Sequence, residues 1–403
     1  MKRPGGSCAG KFVKFLSLTA ILSGYSGGVR GEERVAAPVS PSPMFTQSNL
    51  PLDEDERGLW MQADEAEREL KRSNFVVRDQ ALNAYVKSVL CRAVGADRCG
   101  AARIYMVRTP HFNASMAPNG MMQVWTGLLL RVRNEAQLAA ILAHEFAHFE
   151  QRHGVKSFKD IKAKTDAMAW LSFIPYGVGL LSQYAVAGSV FSFNRDMERE
   201  ADAMSVRHLS MAGYAPISAS QIWFNLRLEM DATALARNRR SRKDENGGFF
   251  ATHPGSAERM ADLAKLAAEQ TNETNDNGEE RYRAAISGWW PALIDDQIKR
   301  NDFGATDFLI TQLAGDKWSD DLLYARAELL RHRGADGDNA KAADYYRQSI
   351  KLGNAAAEAR RGLGLSLLKM GKVEEGRQYL REYVALRPNA GDITMINMLL
   401  GGI

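Results

Sequence analysis

The sequence lacks strong compositional bias, and its first thirty residues lack Asp and Glu altogether. With 45% hydrophobic and 25% charged residues, it excludes a wholly disordered, collagen-like or multi-span membrane protein. Five of the 52 Lys and Arg residues lie in those thirty positions; without them, 47 basic residues face 48 acidic ones, and the formal charge of +4 becomes −1. No basic stripe occurs elsewhere, which excludes nucleic acid as a partner. The length of 403 residues favours two or three domains.

The N-terminal segment combines basic residues with an apolar run over residues 15–29, followed by a Pro-rich polar stretch. This order is typical of a secretory signal, which we predict over residues 1–30, with a linker over 31–52. An uncleaved membrane anchor is the alternative. Cys8 precedes the apolar run, whereas the cysteine of a lipoprotein would follow it, so no lipid anchor is expected.

Removing the signal leaves two cysteines, Cys91 and Cys99. In an oxidising compartment, a pair eight residues apart most simply forms one local disulfide. Two unrelated thiols are the alternative.

A polar segment over residues 269–280 contains almost no apolar residue and predicts a linker between two domains, 53–268 and 281–403. The second domain is expected to be helical and repetitive. Residues 357–388 fit the 34-residue tetratricopeptide pattern, and a looser copy precedes them. A plain helical bundle is the alternative.

The first domain is predicted to be α+β and mostly helical, with a small sheet. Alternating residues begin at Arg103 and resume after Asn119-Gly120, which indicates a β-hairpin between the two runs. Two helices follow, opening near Asn134 and Asn194, and Gly213 ends the second helix.

The sharpest motif is the sequence HEFAH over residues 144–148. On a helix, positions i and i+4 share a face, so His144 and His148 can bind one Zn²⁺ while Glu145 lies beside the metal-bound water. A zinc-polarised water with a carboxylate base is typical of amide hydrolysis. The sequence therefore predicts one zinc per chain, and Glu145 as the general base.

Two histidines leave a catalytic zinc short of one protein ligand. Glu198 and Asp202 lie four residues apart in the sequence MEREAD and share a helix face, so either carboxylate can lie near the metal. Glu200 lies about 200° around the helix from Glu198, and the two cannot both face one metal ion. A solvated acidic face is the alternative for an isolated helix.

In combination, HEFAH, MEREAD and Thr252-His253-Pro254 with Arg259 resemble the zinc metallopeptidases of the HtpX, Oma and prenyl-protease type. The resemblance covers residues 55–268. It implies a zincin-like domain in which Glu198 is the third zinc ligand and Asp202 accepts the free N–H of a ligating imidazole.

The same resemblance implies two further site features. Residues 113–120 resemble the edge-strand hairpin of the family, so we expect an extended substrate to add to the strand at Asn113, Ala114, Ser115 and Met116. His253 is expected to reach the metal, where it either blocks the water position or stabilises the oxyanion.

Residues 167–193 carry no charged side chain. A single membrane crossing there would put Glu198 and the two histidines on opposite sides of the bilayer, which a shared zinc ion excludes. We expect a broken helical lid over the cleft that contacts a membrane surface; a buried core hairpin is the alternative. The charged residues 237–246 are expected to form a solvated loop.

With the signal and the repeats added, the sequence most resembles the BepA-like periplasmic group of this family. The resemblance implies a zinc-dependent endopeptidase in the periplasm, acting on misfolded or stalled envelope proteins in outer-membrane protein assembly and quality control. Its substrates would be unfolded or misassembled proteins, and the repeats would bind a protein partner of the assembly machinery. The competing hypothesis is a chaperone-like adaptor whose repeats dock on an assembly complex and whose peptidase domain is latent.

Overall fold

The computed structural model describes residues 50–164, 193–243, 257–270, 276–353 and 357–401. The predicted signal, nearly all of residues 167–193, and His253 lie outside this part. The described helices and strands are, in chain order, α1 (Glu54–Arg72), α2 (Gln80–Val94), β1 (Arg103–Val107), β2 (Ala114–Met116), β3 (Met121–Trp125), α3 (Thr126–Arg131), α4 (Glu135–Glu150), α5 (His153–Lys164), α6 (Arg195–Met211), α7 (Ser218–Ala236), α8 (Ala257–Ala268), α9 (Glu279–Ile286), α10 (Trp290–Ile298), α11 (Phe303–Ala314), α12 (Asp320–Arg333), α13 (Asp338–Lys351), α14 (Ala357–Lys369), α15 (Val373–Leu386) and α16 (Ile393–Leu399). The prediction of a mostly helical protein with a small sheet is confirmed.

The sheet has three strands in the order β1-β3-β2. β1 and β3 are parallel, with Arg103 opposite Met121, whereas β2 is antiparallel to β3. The predicted hairpin between β1 and β3 is therefore wrong, because these two strands are parallel. The Asn-Gly turn instead joins β2 to β3, where the Gly120 N–H donates to the carbonyl of Ala117.

Gly120 shows why this turn needs a glycine. Its φ of 91° lies in the region that L side chains rarely adopt. A Cβ built on Gly120 would lie 2.3 Å from the backbone oxygen of Ala101, so no larger residue fits. The turn holds β3 against β1 on one side and leaves β2 at the edge of the sheet.

The two helices predicted from their N-terminal asparagines begin where expected. The Asn134 side chain accepts from the Gln137 N–H at the start of α4, and Asn194 accepts from the N–H groups of Asp196 and Met197 at the start of α6. Gly213, with a φ of 75°, follows the end of α6. These caps satisfy N–H groups that a helix leaves unpaired, so they fix both helix starts.

The largest hydrophobic core runs from Leu82 to Leu329 and includes residues on both sides of the predicted linker at 269–280. The boundaries of the predicted domains stay a prediction. A disulfide joins Cys91 to Cys99, as predicted. No helix in the described ranges is both long and apolar enough to cross a membrane.

Helices α12 to α15 form two successive helical hairpins, each a pair of contacting helices joined by a short turn. In the second hairpin, Gly364 of α14 approaches Gly376 of α15 so closely that a Cβ on Gly364 would lie 2.8 Å from the Gly376 carbonyl oxygen. Glycine at both positions therefore permits backbone contact between the two helices.

Candidate metal centre

Helix α4 carries the HEFAH sequence through the interior of the protein. Its residues from Glu135 to Phe149 are all buried, and it packs against α6 and next to β2. A helix that is apolar around most of its surface is held by packing on all sides. The imidazoles of His144 and His148 are therefore fixed in place by the surrounding core.

Three side chains converge between α4 and α6. The Nε2 atoms of His144 and His148 lie 3.0 Å apart, and the carboxylate oxygens of Glu198 lie 3.4 Å from His148 Nε2 and 3.6 Å from His144 Nε2. Donors at tetrahedral positions around zinc, with bonds of about 2.0 to 2.1 Å, lie roughly 3.3 Å apart. These three residues fit a zinc ion in both donor type and spacing.

The other ring nitrogens have partners that suit this arrangement. His144 Nδ1 lies 3.1 Å from Asp202 Oδ1, so the ring can donate Nδ1–H to the carboxylate and keep Nε2 for a metal ion. Burial alone would lower the pKa of His144, but hydrogen bonds to Asp202 and Glu198 raise it to about 9. Binding a cation at this ring must therefore displace a proton.

His148 is oriented by a residue that the sequence analysis missed. His153, the first residue of α5, is fully buried and places its Nδ1 2.8 Å from His148 Nδ1. The Nε2 of His153 lies 3.2 Å from Glu200 Oε2. If His148 keeps Nε2 for the metal, its Nδ1–H donates to His153, whose Nε2–H then donates to Glu200.

The hydrogen bonds from His148 through His153 to Glu200 agree with the prediction that Glu198 and Glu200 face different sides of the helix. Glu198 faces the two histidines, whereas Glu200 lies on another side of α6 and reaches the site only through His153. Burial lowers the pKa of His153, which keeps its ring neutral and able to accept a hydrogen bond from His148 Nδ1–H. The signal in the sequence was a histidine five residues after His148, just past the end of the ligand helix.

Arg259 is the second residue without a predicted role. Its guanidinium donates to both oxygens of Asp202, at 2.7 Å each, and its Nη1 lies 2.8 Å from Glu198 Oε2. The side chain is buried against the ring of Trp223. Burial alone would lower the pKa of Arg259, but the charges of Asp202 and Glu198 raise it. Arg259 therefore helps to keep Asp202 ionised and holds both carboxylates in position.

The remaining predicted site residues fall into three groups. Glu145 is buried beside the two histidines on α4, and its charge acts on Arg259. Asn113 accepts from the Trp125 N–H, and Ala114, Ser115 and Met116 form β2, the edge strand next to α4. His253 lies outside the described residues, and its role stays a prediction.

Comparison with known proteins gives a consistent family. Residues 77–267 match Peptidase family M48. The chain is 29% identical over 201 residues to the mitochondrial metalloendopeptidase OMA1 of Schizosaccharomyces pombe. The matched residues make up 48% of this chain and 56% of that protein. It is 24% identical over 233 residues to the beta-barrel assembly-enhancing protease of Escherichia coli (strain K12), covering 54% of this chain and 45% of the relative.

A third relative, the OMA1 protein of Saccharomyces cerevisiae, is 26% identical over 160 residues, covering 38% of this chain and 43% of the relative. The chain thus spans about half the length of these relatives. The matched region contains His144, His148, Glu198, Asp202 and Arg259. Residues 77–267 are therefore similar to Peptidase family M48, and the relatives named here are metalloendopeptidases or proteases.

Proposed function

We propose that the chain is a zinc-dependent endopeptidase that acts on misfolded or stalled envelope proteins in outer-membrane protein assembly and quality control. The observation that carries the proposal is the convergence of His144, His148 and Glu198 within 4.8 Å in the interior of the protein. The name of the beta-barrel assembly-enhancing relative supports the envelope role. The N-terminal segment and the disulfide support a periplasmic location.

Each side chain of the site has a task in this proposed reaction. His144, His148 and Glu198 would hold the metal, which when bound supplies a Lewis acid and an acidified water. Glu145 would accept a proton from the water and later donate it to the leaving amine. Asp202 would keep His144 in the tautomer that presents Nε2 to the metal.

The edge strand supplies a place for the substrate. β2 pairs with β3 on one side, and no strand of the described part pairs with its other side. An extended chain can add to such an edge through main-chain hydrogen bonds, which tolerate many side chains. Because β2 packs beside α4, a strand added there would lie next to the HEFAH residues.

The helical hairpins α12–α15 would form tetratricopeptide repeats that bind a protein partner of the assembly machinery. The close approach of Gly364 and Gly376 supports this assignment, because that repeat uses small residues where its two helices touch. We further propose that residues 167–193 contact a membrane surface.

The direct test is cleavage of an unfolded outer-membrane protein by the purified chain, with zinc measured in the same samples. We expect one zinc per chain, and Glu145→Gln should retain the metal while losing cleavage at least a hundredfold. Glu374→Gln, the same change at an exposed position on α15, should cleave normally. Full cleavage by Glu145→Gln would refute the assigned chemistry. A zinc-loaded wild type that binds the client without cleaving it would favour the adaptor.

A further inference from the structure

A second cavity, separate from the metal centre, lies where the N-terminus of α4 meets α7, α9 and α11. Its volume is about 350 Å³, and its lining includes Arg133, Gln137 and Asn225. Gln137 precedes His144 by seven residues, or about 10 Å along the helix. The cavity therefore shares a helix with the metal ligands without including them.

Arg133 brings an uncompensated positive charge to this cavity. Its side chain is half-buried, and no carboxylate among the described residues lies within ion-pair distance of its guanidinium. Burial lowers the pKa of Arg133, with no neighbouring acid to oppose the effect. The other arginine of the lining, Arg283, lies 3.6 Å from Glu279 and is already paired. A partly buried cation without a partner costs free energy unless a ligand supplies the opposite charge.

Two buried carboxamides line the same space with unused hydrogen-bonding capacity. Asn225 is only 8% exposed, and its side chain forms no hydrogen bond within the described ranges. Gln137 is 3% exposed; its Oε1 accepts from the Arg133 backbone N–H at 3.0 Å, while its Nε2 donates to no described group. Buried polar side chains normally have partners, so these unused donors in the cavity lining can bind an acceptor that enters the cavity.

The remaining walls complete a binding site of mixed character. The first turn of the sixteen-residue helix α4 borders the cavity, and a helix N-terminus favours negative charge. Trp290 and Phe224 provide aromatic surface, and half of the Phe224 side chain is exposed at the opening. The site thus offers two cations, one of which is paired with the Glu279 carboxylate in the same lining, together with several N–H donors and an apolar wall.

We propose that this cavity binds a carboxylate carried on a short peptide. Arg133 donates two parallel N–H groups to the carboxylate, and the carboxamides of Gln137 and Asn225 donate further hydrogen bonds to it. The planar guanidinium fork matches a carboxylate bidentately. The volume lies at the low end of the range for ligand pockets, about 300 to 1,000 Å³, so it admits the end of a peptide or one acidic side chain.

Binding can be measured on the full chain carrying Glu145→Gln, which prevents cleavage of the probe. The probes are three fluorescein-labelled tripeptides observed by fluorescence anisotropy: Ala-Ala-Phe with a free C-terminal carboxylate, the same peptide as its amide, and Ala-Asp-Phe amide. At least one carboxylate-bearing probe should bind at least tenfold more tightly than Ala-Ala-Phe amide. Tight binding of the free acid identifies a chain end as the ligand, and tight binding of Ala-Asp-Phe amide identifies an acidic side chain.

Variants then place the binding site. Adding Arg133→Gln should weaken the preferred probe at least tenfold, whereas Arg68→Gln removes the same charge from an exposed position on α1 and should leave affinity unchanged. Asn225→Ala is a second test, expected to weaken binding severalfold, and it decides the question if Arg133→Gln does not fold. Equal affinity for all three probes, or carboxylate binding that neither cavity variant alters, would overturn the proposal.

Discussion

Two regions of the protein bury a carboxylate against an arginine, and they differ in what else lies beside it. At the metal centre, Arg259 binds Asp202 and Glu198. Between α12 and α13, Glu328 forms an ion pair with Arg331 and accepts from the Tyr346 hydroxyl. By burial and charge alone, the two clusters look alike.

The difference lies in the histidine rings beside each carboxylate. Glu198 faces two buried imidazoles whose ring nitrogens converge, whereas the one histidine beside Glu328 among the described residues is His332, which is 43% exposed and 3.6 Å away. In the helical hairpin, the guanidinium of Arg331 and the hydroxyl of Tyr346 both donate to the carboxylate. A buried ion pair therefore indicates stability in one region and a binding site in the other, and only the surrounding donor set distinguishes them.

The largest expected effect comes from removing an imidazole at the metal centre. His148→Ala should purify with almost no zinc, because the site then holds one nitrogen and one carboxylate. His332→Ala, the same change beside the second cluster, should keep one zinc per chain. Metal analysis of the two purified variants checks this contrast. Near-stoichiometric zinc in His148→Ala would remove the proposed site.

A smaller effect is expected from the residue behind the ligand. His153→Ala should bind zinc 10 to 100-fold more weakly, because His148 loses the acceptor that fixes its tautomer. Competition with a chelating dye measures the affinity directly, and circular dichroism reports whether the fold is kept. Unchanged affinity in a folded variant would mean that His153 only fills space.

The helical hairpin should respond through stability instead of metal. Burial alone would raise the pKa of Glu328, but the contacts with His332, Arg331 and Tyr346 lower it to about 2, against a reference value of about 4.3. The pKa is lower in the folded state, so this stabilisation is complete above about pH 4.3 and is lost as the pH falls toward 2. Glu328→Gln should destabilise the protein by on the order of 2 to 3 kcal/mol at pH 7 and leave zinc content unchanged.

The pH gives that variant an internal control. Thermal unfolding at pH 7 should separate Glu328→Gln clearly from the wild type, and the two curves should approach each other toward pH 3. A difference that stays constant between pH 7 and pH 3 would show that the ionised Glu328 is not the source of the stability.

The smallest effect should come from Glu200→Gln. Glu200 is 48% exposed, and a Gln carboxamide oxygen can still accept from His153, so zinc affinity should fall less than about threefold. Glu198→Gln should lower it far more, because it removes an anionic ligand. Equal losses in the same chelator competition would show that α6 presents a different face to the histidines.

The sequence predicted the parts of the metal centre that local periodicity controls. His144 with His148, and Glu198 with Asp202, each lie four residues apart on one helix, so helical geometry alone puts each pair on one face. His153 was missed because the chain turns at Arg152, whose φ is 54°, before α5 begins. That turn is what brings His153 back to His148.

Long-range pairing was harder to predict. The role of Arg259 depends on α8 packing against α6 across 57 residues of sequence, which no local pattern encodes. The predicted hairpin in the sheet was wrong for a related reason. Alternation identified both β1 and β3, but it carries no information on strand direction. The Asn-Gly turn, which was predicted to join β1 to β3, instead joins the short strand β2 to β3.

The disulfide between Cys91 and Cys99 also bears on the order in which the protein assembles. It closes a loop of eight residues, whereas His144 and Glu198 are 54 residues apart (198 − 144). For a flexible chain, closing the longer loop costs roughly 1.7 kcal/mol more entropy. We therefore expect the covalent link to form early, while the three ligands meet only when α4 and α6 dock. Zinc uptake would then report that folding of this region is complete.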